Sequence, residues 1–573
     1  MNTPPSVPAR NSAFPVLSRF VAWVLSRFVT WKVIRRWLIA IAVLASGVAL
    51  FYAVENWRGR RAWEAFKRPL EAKGERFDLA AFIPKPVPDD QNLAMTPLLK
   101  PLFDYQRTAT GGVVWRDPEG AQRARNLAPI RSTETPSLRP AGLLLWPRGK
   151  KVDLKAWQFY FRGSNMSELK VPDAERPGGY AGPSKKGSPA PEIPAHEFLA
   201  PPVPRDPPTD VLLALSKFEP QLAEMRAAGR RPFAQFPIKY AESIAPLVPH
   251  VCPLRDLSQT LALRATAQLA LSNSAAAQED IELGFRLCDA LSPDPLEVSH
   301  FFGFLMREVL LQPLWEGLAE RRWTEAQLAR FQALLAPIDL RSNAHRVYSC
   351  QRALVNQTID LLIAGKWTID DLQSEGEYDE ESYRRNLLLS YGPRGWLYES
   401  KITFNWLVQP SVDHAREFAQ SGIYPLAAEH DRNRYRTALE RTSRDLQLFR
   451  LLARHPFTPL SWWLLGSARG QSVVDMALVA CALERHRLAH GQFPEALTAL
   501  VPETLEKLPP DVMNGQPLVY RRTDDGQFIL YSVGANLVDD DGIDSDTATR
   551  LDREAGFVGR ESGDWVWRYP ARK

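Results

Sequence analysis

The chain has 573 residues, 45% hydrophobic and 24% charged. This composition excludes full disorder, and the length is too great for one compact core, so two to four domains are expected. The formal charge of +5 suggests a nucleic-acid partner only until the charges are located. Residues 1–54 contain no Asp or Glu, whereas Arg10, Arg19, Arg27, Lys32, Arg35 and Arg36 supply six cations. The remainder is therefore close to neutral, and no nucleic-acid partner is expected.

The first 36 residues read as a basic leader, cytoplasmic or lying along the membrane face. Ser-Arg-Phe-Val occurs twice in it, at 18–21 and 26–29, and the interrupting Arg19, Arg27 and Lys32 make a second span costly. From Trp37 to Val54 no residue is charged. As a helix this run rises about 27 Å, enough for a bilayer core. Trp37 at one end and Tyr52 with Trp57 at the other are the rings expected at the two headgroup levels. Basic residues flank both ends, but the short, wholly basic leader favours an inside N-terminus. The expectation is a single-pass protein of the bacterial inner membrane, N-terminus cytoplasmic and bulk periplasmic.

Residues 55–170 read as a mixed α/β membrane-proximal region. Trp57 to Ala80 has helical spacing, and Gly112–Trp115, Leu143–Trp146 and Trp157–Phe161 read as strands. Forty-seven prolines against 32 glycines require extended segments, and eleven of those prolines fall between Val171 and Pro208. That stretch, 171–208, is expected to be a spacer or long surface loop. From 209 to 470 the pattern is of long amphipathic helices, stacked like a solenoid or packed as a bundle. Start signals stand at Ser274, at Trp323-Thr324 with Gln327 in capping-box position, and at Trp367-Thr368. Cys252, Cys288, Cys350 and Cys481 lack metal-site spacing and read as small buried hydrophobes or as disulfide partners.

The last hundred residues carry the most specific pattern. A helix rich in apolar residues from Val473 to Leu488 is stopped at Ala489-His490-Gly491. Turns at Asn514-Gly515 and Asp525-Gly526 then flank LVYRR and FILYSV, which read as paired antiparallel strands. His486-Arg487-Leu488, Gly491, Phe493-Pro494, Leu497, Leu500-Val501, Leu508-Pro509, Asp511, Gly515, Pro517, Tyr520-Arg521, Phe528, Leu530-Tyr531-Ser532, Gly534 and Asp539 follow an order that resembles the soluble part of type II secretion major pseudopilins. Gly563-Asp564-Trp565-Val566 resembles the segment closing that family's loop. The resemblance covers about residues 471–570 and implies a small α+β module. Val512 and Met513 depart from it, and the module follows a large helical domain instead of carrying its own hydrophobic N-terminus, so filament assembly is not implied. The whole architecture resembles envelope proteins of the planctomycete and verrucomicrobial kind.

Asp539, Asp540, Asp541, Asp544 and Asp546 crowd one loop beside Asn536. Packed carboxylates repel unless a hard divalent cation or solvent screens them. The resemblance implies calcium ligation by Asn536, Asp539, Asp540, Asp544 and Asp564; a solvated acidic loop is the plain alternative. Catalytic patterns are weak. His486 and His490 share a helix face, but Arg487 stands where a zincin needs glutamate, so the pair reads as surface or turn residues. Ser167 to Lys170 has Ser-x-x-Lys form without companion motifs. Ser467 stands one place early for a nucleophile elbow, and Asp370-Asp371 and Glu380-Glu381 read as solvated faces. The chain is thus mainly α: one transmembrane helix, a helical body and a small C-terminal α+β module. The expected function is membrane-anchored binding of protein partners without chemistry, with a membrane-anchored hydrolase as alternative.

Overall fold

The computed structural model describes residues 31–108, 112–129, 143–163, 198–240, 246–368, 391–425, 461–544 and 563–570. Helix dominates, and the chain divides into two compact units, one of residues 1–74 with 361–403 and one of 75–360 with 404–573. Residues 75–163, most of the helical body and the C-terminal module all belong to the second unit.

The first unit is built on α1 (Trp31–Ala72), one unbroken helix containing the uncharged run. It is long and apolar enough to cross a membrane, and none of its apolar window is buried in protein; Trp37 and Leu44 are 67% and 68% exposed. The helix expected from Trp57 is a continuation of the same rod, which ends at Ala72 and not at Ala80. Beyond the apolar run, α1 meets the first turns of the helix Gly395–Ser421. Gly59 and Gly395 touch backbone to backbone, and a methyl on Gly59 would collide with the Gly395 carbonyl. The Asn56 side chain accepts the Gly395 N–H at 2.8 Å. Arg58 bridges Glu55 and Glu399 at 2.9 and 2.6 Å, and the Lys401 ammonium lies 4.3 Å from the Trp63 ring centre.

In the second unit, short 3-10 turns between Leu79 and Phe103 lead into an antiparallel strand pair, β1 (Tyr105–Arg107) and β2 (Val113–Trp115), paired Tyr105 to Trp115. Helix α2 (Pro118–Arg125) is capped by Asp117. Two expected strands are corrected. Leu143–Trp146 is irregular and leads into a 3-10 turn at Trp146–Arg148. Trp157–Phe161 is the end of α3 (Leu154–Phe161), because the Asp153 carboxylate accepts the Lys155 and Ala156 N–H groups, at 3.0 Å each, and sets a helix N-terminus. A local cap decides between two conformations that aromatic composition leaves open. Most of the proline-rich stretch, 171–197, lies outside the described residues. Its last prolines form the first turn of α4 (Pro207–Leu215), capped by Asp206, where missing N–H groups cost nothing. Helix α5 (Glu219–Ala228) follows.

The core is three mutually packed helices, α6 (Val251–Ala270), α7 (Ser274–Ala290) and α8 (Glu297–Ala319). Helix α6 is buried on most sides, and Gly284 on α7 admits the Leu310 side chain of α8. The cap of α7 is Asn273, one residue before the Ser274 expected, with its side chain accepting the Ala276 N–H at 3.4 Å. Helix α9 (Glu325–Leu335) starts at the expected capping box of Thr324 and Gln327. Helices α10 (Ala344–Ile363) and α11 (Gly395–Ser421) contribute residues to both units. Any helix opened by Trp367-Thr368 falls in 369–390, outside the described residues.

Within the second unit Arg352 of α10 is fully buried and bound by Glu75, with Gln409 Oε1 at 2.8 Å and the Phe77 ring centre 4.5 Å away. The other Glu75 oxygen takes Arg416. All four cysteines are free thiols, three of them buried, and burial pushes Cys288 and Cys350 up to about 12; these are inert hydrophobes.

Helix α12 (Ser461–His490) packs on α8 and α9 and carries the C-terminal sheet. That sheet is β3 (Val519–Arg522), β4 (Phe528–Ser532) and β5 (Trp565–Arg568), antiparallel in that order. Gly515 and Gly526 turn the chain at φ of +74° and +72°, as their Asn-Gly and Asp-Gly pairs require. Strand β5 buries Trp567 completely, its ring centre 5.1 Å from that of Trp146, and the Arg568 carbonyl accepts the Trp315 indole N–H at 2.9 Å.

Candidate functional site

The loop between β4 and β5 is held from its root. Asp511 is buried, and one oxygen accepts the Ser532 hydroxyl at 2.8 Å and the Met513 N–H at 2.9 Å while the other accepts Val533 N–H at 3.0 Å. The two residues that depart from the pseudopilin-like pattern, Val512 and Met513, are buried, and the Val512 carbonyl accepts the Tyr424 N–H at 2.7 Å. The strand thus leaves at a fixed angle into residues 534–544. Leu537 and Asp541 adopt φ of +60° and +57° there, flanked by Gly534 and Gly542 at +66° and +75°.

These turns gather the carboxylates expected from sequence. Asp539 accepts the Tyr531 hydroxyl and the Asp541 N–H at 2.9 and 3.0 Å. Asp540 accepts from the Asn536 amide and the Gly563 N–H at 2.8 and 3.1 Å. Asp564, fully buried, takes Gly542 N–H at 2.7 Å on one oxygen and Asp540 N–H at 3.4 Å on the other. Burial pushes the Asp564 carboxyl up to about 6, and repulsion from Asp540 and Asp539 adds to this against its two N–H donors. Asp544 joins through a backbone bridge to Asp564, and its carboxylate stands 3.9 Å from Arg568. Asp546 lies outside the described residues.

Asn536, Asp539, Asp540 and Asp564 therefore form one hydrogen-bonded loop with Asp544 at its edge. The donors are all oxygen, which suits calcium and not a softer metal. Much of their hydrogen-bonding capacity is spent on the loop's own backbone. Among the described residues, the His, Cys, Asp or Glu group whose ligand atoms do converge within 4.8 Å is a different one, His486, His490 and Glu503. The two histidines share a face of α12 as their spacing requires; Glu503, thirteen residues beyond His490, is delivered by the turn after the helix.

The serine of Gly466-Ser467 lies inside α12, so no nucleophile elbow forms there. Ser167, Lys170, Asp370, Asp371, Glu380 and Glu381 lie outside the described residues. One constellation had no sequence signal: His250 Nε2 lies 3.0 Å from Asp294 Oδ2, which also accepts the Ser299 hydroxyl at 2.9 Å. Each is at most 1% exposed, Phe236 stacks on the imidazole at 3.8 Å, and the serine bonds the acid and not the histidine. The arrangement ties the start of α6 to the α7–α8 connection and presents no nucleophile. Burial pushes neighbouring His300 down to about 4. No protein-family model matches the chain, and neither a curated protein nor a solved structure does.

Proposed function

We propose that the chain is a single-pass protein of the bacterial inner membrane, N-terminus cytoplasmic, whose periplasmic helical body and pseudopilin-like module bind protein partners without chemistry. The observation that carries this reading is the wholly exposed apolar window of α1, an arrangement that water disfavours and a bilayer satisfies. The acid-free leader supplies the orientation. In a Cys252→Ser background, Ser18→Cys and Asp524→Cys are labelled with a membrane-impermeant maleimide on intact spheroplasts. Residue 524 reacts and residue 18 does not; the reverse pattern overturns the orientation. Cross-linking in native envelopes then moves the wild-type chain into a larger hetero-complex, and a chain that stays monomeric defeats the binding reading.

The acidic loop is read as a calcium site, with Asp540 and Asp564 as its central carboxylates and calcium neutralising charges that the loop otherwise holds by hydrogen bonds alone. Tenfold excess of calcium over its dissociation constant stabilises by about 1.4 kcal/mol, a rise of a few degrees in unfolding midpoint. Asp540→Asn removes most of that rise. An identical midpoint with calcium and with chelator refutes the site.

A further inference from the structure

We infer that His486, His490 and Glu503 form a three-ligand site for a divalent transition-metal ion of zinc type, separate from the acidic loop. Three observations converge on it. First, one ligand atom from each residue lies within 4.8 Å of the other two. Second, His486 Nδ1 stands 3.3 Å from Glu503 Oε2; ligands 2.0–2.1 Å from a tetrahedral ion are about 3.3 Å apart. Third, that nitrogen is buried and, apart from this approach to Glu503, has no partner. A metal ion shared with Glu503 satisfies this buried nitrogen with the ring neutral. The remaining pair, His490 Nε2 and Glu503 Oε1, is hydrogen-bonded at 2.7 Å; ion binding replaces that bond and draws the two atoms apart to about 3.3 Å.

The scaffold fixes these groups before any ion arrives. Spacing of i and i+4 stacks the two imidazoles on one face of α12, ring centres 4.1 Å apart. Glu503 rides on a turn closed by Thr504 N–H to the Leu500 carbonyl at 2.8 Å. Gln332 of α9 clamps the same turn by donating to the Thr504 carbonyl at 3.0 Å. The adjacent cations are committed elsewhere: Arg485 to Glu325 and Gln332, and Arg487 to Glu484 through two bonds of 2.7 Å. Arg487, whose presence removes the zincin pattern, thus leaves the histidine face clear. Two nitrogens and one carboxylate suit zinc and its neighbours better than calcium or magnesium. With the His490 and Glu503 side chains 48% and 44% exposed, the fourth position opens to solvent, as in sites that bind an exchangeable ligand and unlike closed structural sites.

The test uses the full-length, untagged protein in detergent, stripped by chelator and equilibrated with zinc or cobalt(II). The expected result is one saturable ion per chain, a higher unfolding midpoint, and a cobalt spectrum of low coordination number. His490→Ala and Glu503→Gln each weaken binding at least tenfold, and His486→Ala/His490→Ala abolishes it with the helical circular-dichroism signal retained. Asp540→Asn leaves zinc binding unchanged, which separates this site from the acidic loop. Zinc uptake equal in wild type and the double-histidine variant overturns the assignment. So does wild-type protein that retains none, which leaves a plain histidine–glutamate ion pair.

Discussion

Glu75→Ala lowers the stability of the second unit by about 3–5 kcal/mol, because it strips a buried arginine of its counter-charge. The Arg352 side chain has no exposed surface and that of Glu75 is 3% exposed, so water cannot replace the lost carboxylate. Arg416 loses its partner too, but its side chain is 33% exposed and reaches solvent. The informative comparison is Glu75→Leu combined with Arg352→Met, which removes both charges and leaves no orphan; it recovers most of the loss. Chemical denaturation of each variant supplies the numbers, and a single variant no worse than the double refutes the account. Acid dependence follows from the same pair. Burial raises the Glu75 carboxyl, yet Arg352 and Arg416 outweigh it and hold the group below its ordinary 4.5. The native state therefore keeps the carboxylate ionised where the unfolded chain takes up a proton. This stabilisation is present above about pH 4.5 and is lost as pH falls through the lowered value. Glu75→Gln flattens the stability curve in that acid window alone. Glu316, Glu297 and Asp475, each pushed by burial to about 7, act with opposite sign: their contribution declines as pH rises to about 7 from the ordinary value, 4.5 for the two glutamates and 3.8 for Asp475.

Asp511→Ala is expected to release the β4–β5 loop and destabilise the C-terminal module by about 3–5 kcal/mol. Three donors, the Ser532 hydroxyl and the Met513 and Val533 N–H groups, lose their acceptor at a residue 1% exposed. Each unsatisfied buried donor costs about 1–3 kcal/mol. Ser532→Ala removes one of these bonds without stranding the carboxylate, so about 1 kcal/mol is expected, and Asp511→Asn falls between. Amide exchange read across 511–544 shows faster exchange in the alanine variant while α6–α8 stay protected. Uniform exchange with wild type refutes the role given to Asp511.

What the sequence revealed is what neighbouring residues decide. The apolar rod, the Thr324 and Gln327 box and the turns at Gly515 and Gly526 each depend on chemistry within a few positions. Trp157–Phe161 was misread because its rings suit strand and helix alike, and the deciding atom belongs to Asp153. The groups that matter most at the candidate sites are joined by tertiary structure. Glu75 and Arg352 are 277 residues apart, and His250 meets Asp294 across 44. Glu503 belongs with His486 and His490 only because of where a turn places it. The acidic loop was legible as a cluster, but its division into hydrogen-bonded and outlying carboxylates follows from residues in the left-handed region.

The closing strand of the C-terminal sheet has a consequence for the order of events in the cell. Trp567 packs against Trp146, and the carbonyl beside it takes the indole proton of Trp315, so elements laid down early are sealed by one that leaves the ribosome about four hundred residues after Trp146. Vectorial folding behind the advancing chain cannot complete this unit. Its helices must wait, part-assembled and with two indoles uncovered, until residue 567 has been synthesised. Synthesis of the chain therefore finishes before consolidation begins, and the interval is when proteases and chaperones have access to it.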